Sequence, residues 1–226
     1  MNMLKKSIFA VFTVAALLHS CVRSSEDRIR TGDLIFVGIP IDYSIEDDSL
    51  EGAVASSTGS PDSLNLIHVA IAEVSSDTTW IIDATIAHGV DRHPLDTFLT
   101  DFTLKDGSLP VFIVKRLKDP SNAAEYVENC KRFLGQPYDV HFLPDNDSLY
   151  CSELVRDSYV GPDGNYVFDI APMNFKDPEG NMPLYWEQLF GLLGQSVPQD
   201  VPGTNPQEMS RSEALKTVEV SLDKRY

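Results

Sequence analysis

The sequence predicts an α+β domain in which a mainly antiparallel sheet packs against helices. Three observations support this class. Several runs rich in β-branched and aromatic residues are joined by short polar turns, which suit antiparallel neighbours. Two stretches with helical apolar spacing follow the strands. The chain of 226 residues is 42% hydrophobic, enough to bury a substantial core. We expect four or five strands and two or three helices.

The N-terminal segment "MNMLKKSIFAVFTVAALLHSC" predicts a signal peptide over residues 1–20. Lys5 and Lys6 precede an apolar run that is too short for a comfortable membrane span. The end of this run, "LHSC", resembles the lipobox of bacterial lipoproteins, and the resemblance implies a lipidated Cys21. We therefore expect a secreted protein of the bacterial cell envelope, held at the membrane by a lipid anchor, with plain secretion as the alternative. Residues 21–30 are expected to be an exposed linker.

The first strand is predicted in "GDLIFVGIPI", directly after a Gly-Asp turn signal. The acidic, Ser-rich and Gly-rich stretch "DYSIEDDSLEGAVASSTGSPDS" predicts a long loop, and it stays open whether residues 43–63 act as a lid. The runs "HVAIAEV" and "TTWIIDAT" flank the short turn "SSD", so they predict a β-hairpin. The next run, "GVDRHPLDTFLTD", is expected to change from strand to helix at Pro94.

A further strand is predicted in "LPVFIVKRLK", followed by a helix that Ser121 can cap. Ala123, Val127, Cys130 and Leu134 have the spacing of one helical face, so Cys130 is interpreted as a core residue. A second helix is predicted over residues 149–159.

Ser148 or Asp147 is expected to cap that second helix. The stretch "PLYWEQLFGLLG" predicts a short helix, whereas "QSVPQDVPGTNPQEMS" predicts no regular element. We assign residues 31–200 to one catalytic domain and residues 201–226 to a C-terminal extension.

The charge balance limits the partners of the protein. The chain carries 34 acidic and 18 basic residues, a formal net charge of −16. Such a surface repels nucleic acids, so nucleic-acid binding is not expected. An acidic surface is compatible with amine-bearing substrates, although it also serves solubility alone.

Cys151 is the one cysteine without a structural or targeting interpretation. It lies near the start of a predicted helix, where backbone amides and the positive end of the helix dipole stabilise a thiolate. Inert cysteines occupy such positions too, so a catalytic role requires a histidine as base and an acceptor that orients the histidine.

Among the histidines, His68 is the best candidate for that base because it opens an apolar strand. His88 and His93 lie in a polar connection and are interpreted as exposed, and His141 lies in a loop without rigid support. Asp83 is embedded in an apolar run, where a buried carboxylate needs a partner. Counted outward from the hairpin turn, His68 and Asp83 lie nearly opposite each other. A purely structural Asp83 is the alternative.

These features together resemble the permuted papain-like cysteine amidases, the YiiX/YebB-like branch of the NlpC superfamily. "GDLIF", "HVAIAEV", "IIDAT" and "GQPYD" precede "YCSELV", so histidine comes before cysteine in the chain. The resemblance covers about residues 31–160 and implies a papain-like, circularly permuted fold. It also implies that Cys151 is the nucleophile, His68 the base and Asp83 the orienting residue, where the branch often has Glu. Tyr138 corresponds to a tyrosine that helps bind the oxyanion.

The resemblance implies a hydrolase that cleaves amide bonds through a thioacyl intermediate, with no metal and no cofactor. Cell-wall peptides, or peptides with lysine-like amines, are the expected substrates. An acyl or lipid transferase and a non-catalytic envelope binding module are the alternatives. A wide apolar groove would favour lipid substrates, and a closed acidic pocket would favour peptides.

Overall fold

The structure, a computed structural model, describes residues 28–40, 43, 49–58 and 64–222. The predicted signal peptide, the predicted lipidation site Cys21 and most of the predicted linker lie outside the described residues. Among the helices of the described part, none is both long and apolar enough to cross a membrane.

A six-stranded antiparallel sheet forms the centre of the domain. The bounds of the strands are β1 Leu34–Pro40, β2 Leu64–Ser75, β3 Thr78–Thr85, β4 Gly89–Pro94, β5 Val111–Leu117, β6 Ala171–Pro172, β7 Pro202–Gly203 and β8 Leu215–Val218. The strand order in the sheet is β4-β3-β2-β1-β5-β8, and the two-residue strands β6 and β7 form a separate pair in the C-terminal third. The predicted α+β class is confirmed, with more strands than expected.

The β2–β3 hairpin is confirmed, and its turn fixes the register. Ser75 pairs with Thr78, so the loop contains only Ser76 and Asp77, both with positive φ (48° and 65°). Two positive φ values match the right-handed twist of the strands. Ile71 pairs with Ile82, so the strands hold one register over the whole pairing.

Helices lie on both faces of the sheet, and the described residues form six of them. Their bounds are α1 Leu50–Thr58, α2 Leu95–Asp101, α3 Ala123–Lys131, α4 Cys151–Ser158, α5 Leu184–Leu193 and α6 Pro206–Ser210. Alternate residues of β1 belong to two separate cores: Leu34 and Phe36 pack with α3 and α4, and Ile35 and Val37 pack with α1 and α2. The alternation is the two-residue period of a strand that is buried on both faces.

The prediction of one long loop after β1 is wrong. Residues 50–58 of that stretch form α1, in which the Ser49 hydroxyl accepts the Gly52 N–H. The buried residues of this helix are Gly52, Ala53 and Ala55, whose small size lets it pack closely.

The predicted helix caps are also wrong. Asn122 rather than Ser121 precedes α3, and Tyr150 precedes α4, neither with a side-chain cap. The Ser148 N–H and the Ser148 hydroxyl both donate to Asn146 Oδ1 in an Asx-type turn, so this hydroxyl does not cap α4. Leu134, predicted on the buried face of α3, lies beyond its end and is exposed.

The segment after residue 200 is joined to the rest of the domain. β8 pairs with β5 at the edge of the sheet, and α6 packs against β2. Asn205 caps α6 by accepting the Glu208 N–H, and Pro206 occupies the first turn. The prediction that "QSVPQDVPGTNPQEMS" forms no regular element is therefore wrong, since a five-residue helix suffices to bring Gln207 to the sheet.

Candidate active site

His68 and Asp83 form a buried hydrogen-bonded pair across the hairpin. The His68 Nε2 to Asp83 Oδ2 distance is 2.8 Å. The last backbone pair of β2 and β3 is Ile71 with Ile82. Continuing this register by one residue places Asp83 opposite Ala70, so Asp83 and His68 are diagonal neighbours on one face of the sheet. Phe102 packs on the imidazole with a centroid distance of 4.7 Å. The hairpin thus fixes the ring orientation and leaves Nδ1 for a second partner.

Cys151 lies close to the same imidazole. The two side chains line one cavity, and a negative charge on Cys151 acts on the ring. Burial alone would lower the pKa of His68. The interaction with Cys151 and the hydrogen bond with Asp83 outweigh burial and raise that pKa from 6.5 to about 10. The imidazole of His68 therefore keeps its proton over a broad pH range.

A β-bulge places His68 at this point of β2. Val37 of β1 pairs with His68, while the next residue, Gly38, pairs with Leu66, so Ile67 is the extra residue. The freed Leu66 N–H donates to Gln207 Oε1 of α6 over 3.0 Å, and Gln207 is buried. Bulges next to active sites commonly redirect a side chain, as this one does for His68.

Cys151 is the first residue of α4, closer to the helix start than predicted. Its N–H is among the first amides of the helix, which have no helical acceptor. Glu153 lies in the first turn of α4, and its buried Oε2 has no hydrogen-bond partner among the described residues. Burial, with the charges of Asp139 and Asp157, raises the pKa of Glu153 to about 8.

Tyr138 lies beside the same sulfur. It lines the cavity with Cys151, and burial followed by the negative charge of Cys151 raises its pKa well above the ordinary value. The phenol therefore keeps its proton and can donate a hydrogen bond. Tyr138 is linked to the approach of α4 by a parallel bridge with Leu149. A phenol and the Cys151 amide can together serve an oxyanion.

His68, Asp83, Tyr138 and Cys151 line a cavity of about 710 Å³. One wall is aromatic, contributed mainly by residues that also form a third core cluster, Phe142, Phe175 and Trp186. The rim carries the exposed carboxylates of Glu51 and Asp101, together with Glu208, which also pairs with Arg211. No lysine or arginine of the described residues lines this cavity. The site thus combines features of an apolar groove and of an acidic pocket.

The remaining histidines have different surroundings. His88 is exposed, as predicted, and lines the cavity, whereas His141 is half-buried, with Nδ1 2.9 Å from Gln195 Oε1. The prediction that His93 lies exposed in a polar connection is wrong. His93 belongs to β4 and lies largely buried beside Asp83, because the strand alternation turns it towards the sheet face that carries Asp83. In β4 the side chains of Asp91 and His93 lie on one face and those of Val90 and Arg92 on the other. This two-residue period is the sequence signal that could have placed His93 on the same face as Asp83.

The C-terminal segment contributes to the site in a way that the sequence did not reveal. The Thr204 N–H donates to the Tyr150 hydroxyl, and the Thr204 and Ser152 hydroxyl oxygens lie 3.0 Å apart. A Cβ at Gly203 would lie 2.9 Å from the Tyr150 hydroxyl and 2.1 Å from Met173 Sδ, so a larger residue there would displace the Met173 side chain. The Thr204 contacts join the C-terminal segment to the start of α4.

A cysteine at a helix start, a histidine from the sheet and an acid behind the histidine form the arrangement of a papain-like cysteine amidase. The model of one family, described as "Permuted papain-like amidase enzyme, YaeF/YiiX, C92 family", matches residues 28–219. The chain belongs to this family. The predicted resemblance to the YiiX-like branch is confirmed.

Two YiiX proteins are similar to the chain. "Uncharacterized protein YiiX" of Escherichia coli strain K12 is 26% identical over 110 residues, 47% of this chain. The match spans 54% of the length of that relative. The crystal structure of "metalloprotein yiiX" from Escherichia coli O157:H7 is 23% identical, with a TM-score of 0.63 over 84% of this chain and 97% of the other. At this identity the likeness shows the fold.

The Escherichia coli O157:H7 protein is described as a metalloprotein. Among the described residues of this chain, no group of three or more His, Cys, Asp or Glu side chains is placed to hold a metal ion. The expectation of a site without metal or cofactor remains a prediction.

Proposed function

We propose that the protein is a cysteine amidase of the bacterial cell envelope. Its substrates are peptides with a lysine-type amine, including peptides from the cell wall, and the reaction passes through a thioacyl intermediate. The observation that carries this proposal is the placement of Cys151 at the first position of α4, in one cavity with a His68 that Asp83 holds through a 2.8 Å hydrogen bond. Membership of an amidase family supports the reaction class.

The chemistry follows from the positions of the groups. His68 takes the thiol proton, and the Cys151 sulfur attacks the amide carbonyl carbon. The Cys151 N–H and the Tyr138 hydroxyl stabilise the negative oxygen that forms. His68 then donates the proton to the leaving amine as the C–N bond breaks. Water, deprotonated by His68, attacks the thioester and releases a carboxylic acid and the free thiol.

Charge supports an amine-bearing substrate. The rim carboxylates of Glu51, Asp101 and Glu208 face the cavity mouth, and no lysine or arginine of the described residues lines it. An aromatic wall next to carboxylates suits a side chain with an alkyl stem and a cationic end. The predicted lipid anchor at Cys21 would keep the site near the cell wall. This anchor and the envelope location are parts of the proposal.

The test compares matched peptide amides that carry lysine, Nε-acetyl-lysine or norleucine at one position. We expect the wild type to release the amine product and the Cys151→Ala variant to release none above buffer. Cys130→Ala is the matched control and should retain activity within about 3-fold. Loss of the lysine charge should lower kcat/KM by roughly 1.5- to 5-fold, because an exposed ion pair contributes about 0.2 to 1 kcal/mol. Hydrolysis that survives Cys151→Ala would refute the proposal.

The aromatic wall favours a second candidate, acyl transfer from a lipid ester. A cavity with Phe142, Phe175 and Trp186 along one side suits an acyl chain. The same enzyme preparations should then be given a phospholipid and a primary amine. Formation of an N-acyl amine that depends on Cys151, with the peptide amides left intact, would select the transferase.

A further inference from the structure

Two polar atoms directly behind the candidate catalytic pair have no hydrogen-bond partner among the described residues. They are Asp83 Oδ1 and His93 Nε2, and both are buried. The two atoms lie 3.7 Å apart and face each other. Buried polar atoms without a partner are rare in folded proteins and call for a functional or structural reason. Here one donor–acceptor contact would satisfy both atoms.

The strand register brings these atoms together. His93 of β4 pairs with Ile81 of β3, so its side chain projects from the same sheet face as Asp83, two residues further along β3. The imidazole stacks on Phe98 with an interplanar angle of 17° and a centroid distance of 6.3 Å. Its other nitrogen, Nδ1, lies 3.8 Å from Asp91 Oδ2. The ring is therefore held between two carboxylates and an aromatic face.

Asp83 has a polar contact with each of the two histidines. Its Oδ2 accepts from His68 over 2.8 Å, and its Oδ1 is directed to His93. A carboxylate bonded through one oxygen can still rotate about the Cβ–Cγ bond. A donor on the second oxygen removes that freedom and fixes the plane in which the first oxygen meets the imidazole.

We infer that His93 is a positioning residue for the reaction, with its Nε2–H donating to Asp83 Oδ1 so that Asp83 holds His68 towards Cys151. This inference deepens the proposed function and rests on it. The result is a continuous chain of four side chains, Cys151, His68, Asp83 and His93, one each from α4, β2, β3 and β4. The charged and titratable groups that face His93 are Asp83, from β3, and Asp91, from its own strand. Phe98 of α2 contributes an uncharged ring.

Two substitutions separate a donor from a packed ring. His93→Phe keeps an aromatic ring on Phe98 but has no N–H, and His93→Gln places an amide N–H near the position of Nε2. The readout is the rate at which iodoacetamide alkylates Cys151 from pH 4 to pH 10, which needs no substrate. His141→Phe, at a half-buried histidine outside the cavity, is the matched control.

We expect His93→Phe to slow alkylation of Cys151 at pH 6 by roughly 3- to 10-fold. The midpoint of its pH profile should move up by about half to one pH unit, since one unit corresponds to a factor of ten. The reason is that a loosely held Asp83 supports the imidazolium less well. His93→Gln should stay within about 2-fold of the wild type, and His141→Phe should not change the profile. Thermal unfolding confirms that each variant is folded.

Three results decide the matter. An unchanged profile for folded His93→Phe overturns the inference, and so does an equal loss in the Phe and Gln variants, which indicates packing alone. If the wild-type Cys151 itself reacts no faster than the same thiol in the urea-unfolded chain, the proposed function fails and this inference fails with it. The wild-type rate therefore distinguishes failure of the proposal from failure of the inference.

Discussion

Two neighbouring helices of this domain each carry a buried free cysteine, and the two thiols have opposite surroundings. Cys130 lies in the last turn of α3, fully buried, and burial raises its pKa to about 12. Cys151 is the first residue of α4, is 6% exposed, and opens into the cavity beside His68. The two cysteines do not differ in burial class. They differ because Cys151 lies at the start of a helix and near an imidazole, and both features favour the charged form of its sulfur.

The most direct test of this difference is to measure the reactivity of both thiols in one molecule. At pH 6 we expect iodoacetamide to modify Cys151 at least roughly 1000-fold faster than Cys130. A thiol with a pKa of about 12 is almost entirely protonated at this pH, whereas the helix start and the nearby His68 imidazole favour the reactive form at Cys151. Mass spectrometry of proteolytic peptides gives the two rates separately.

The control for that measurement is the chain unfolded in urea. There the two cysteines should react at rates within about 3-fold of each other, because the helix end, the burial and the imidazole are all lost. Comparable rates in the folded protein would contradict the assignment of Cys151 as the nucleophile and Cys130 as a core residue.

The pair of cysteines also shows what the sequence could reveal. Apolar spacing identified Cys130 as a core residue, and the hairpin turn between two apolar runs was enough to bring His68 and Asp83 together. Both are local patterns. Their structural consequence follows from the residue period of a helix or from the length of a hairpin loop. Such features survive in a single sequence because the backbone geometry of strands and helices is fixed.

What the sequence did not reveal depends on long-range contacts. Gln207 reaches the β2 bulge from 141 positions away, and Thr204 bonds Tyr150 across 54 positions. His93 was interpreted as exposed because the polar residues around it hid the strand alternation. The caps of α3 and α4 were wrong because local turns took up the predicted capping groups. In each case a tertiary or competing local contact outweighed the sequence pattern.

The first turns of α3 and α4 also differ in the surroundings of an acidic residue. Glu153 of α4 is partly buried with a pKa raised to about 8, chiefly by burial, whereas Glu125 of α3 is exposed. Because the folded chain holds a proton on Glu153 that the unfolded chain releases near pH 4.5, stability should fall as the pH rises from about 4.5 to about 8. Glu153→Gln keeps the size of the side chain and removes the titration.

We therefore expect Glu153→Gln to raise the free energy of unfolding at pH 8 by about 1 to 2 kcal/mol relative to the wild type, with little difference at pH 4.5. Urea unfolding at the two pH values measures it. Glu125→Gln is the matched control and should change stability by less than about 0.5 kcal/mol at either pH. A parallel response of the two variants would mean that burial at the start of α4 has no special effect.

The smallest expected effect concerns Cys130 itself. Its thiol packs in the core between the sheet and α4, next to Ser158, and does not line the cavity. Cys130→Ala removes one buried sulfur, so it should cost about 1 kcal/mol and lower the melting temperature by roughly 2 to 4 °C, as for a small core cavity in a domain of this size. The alkylation rate of Cys151 should stay within about 2-fold of the wild type. If that rate fell together with the melting temperature, the packing of α3 against α4 would also position the nucleophile, and the two cysteines would not act independently.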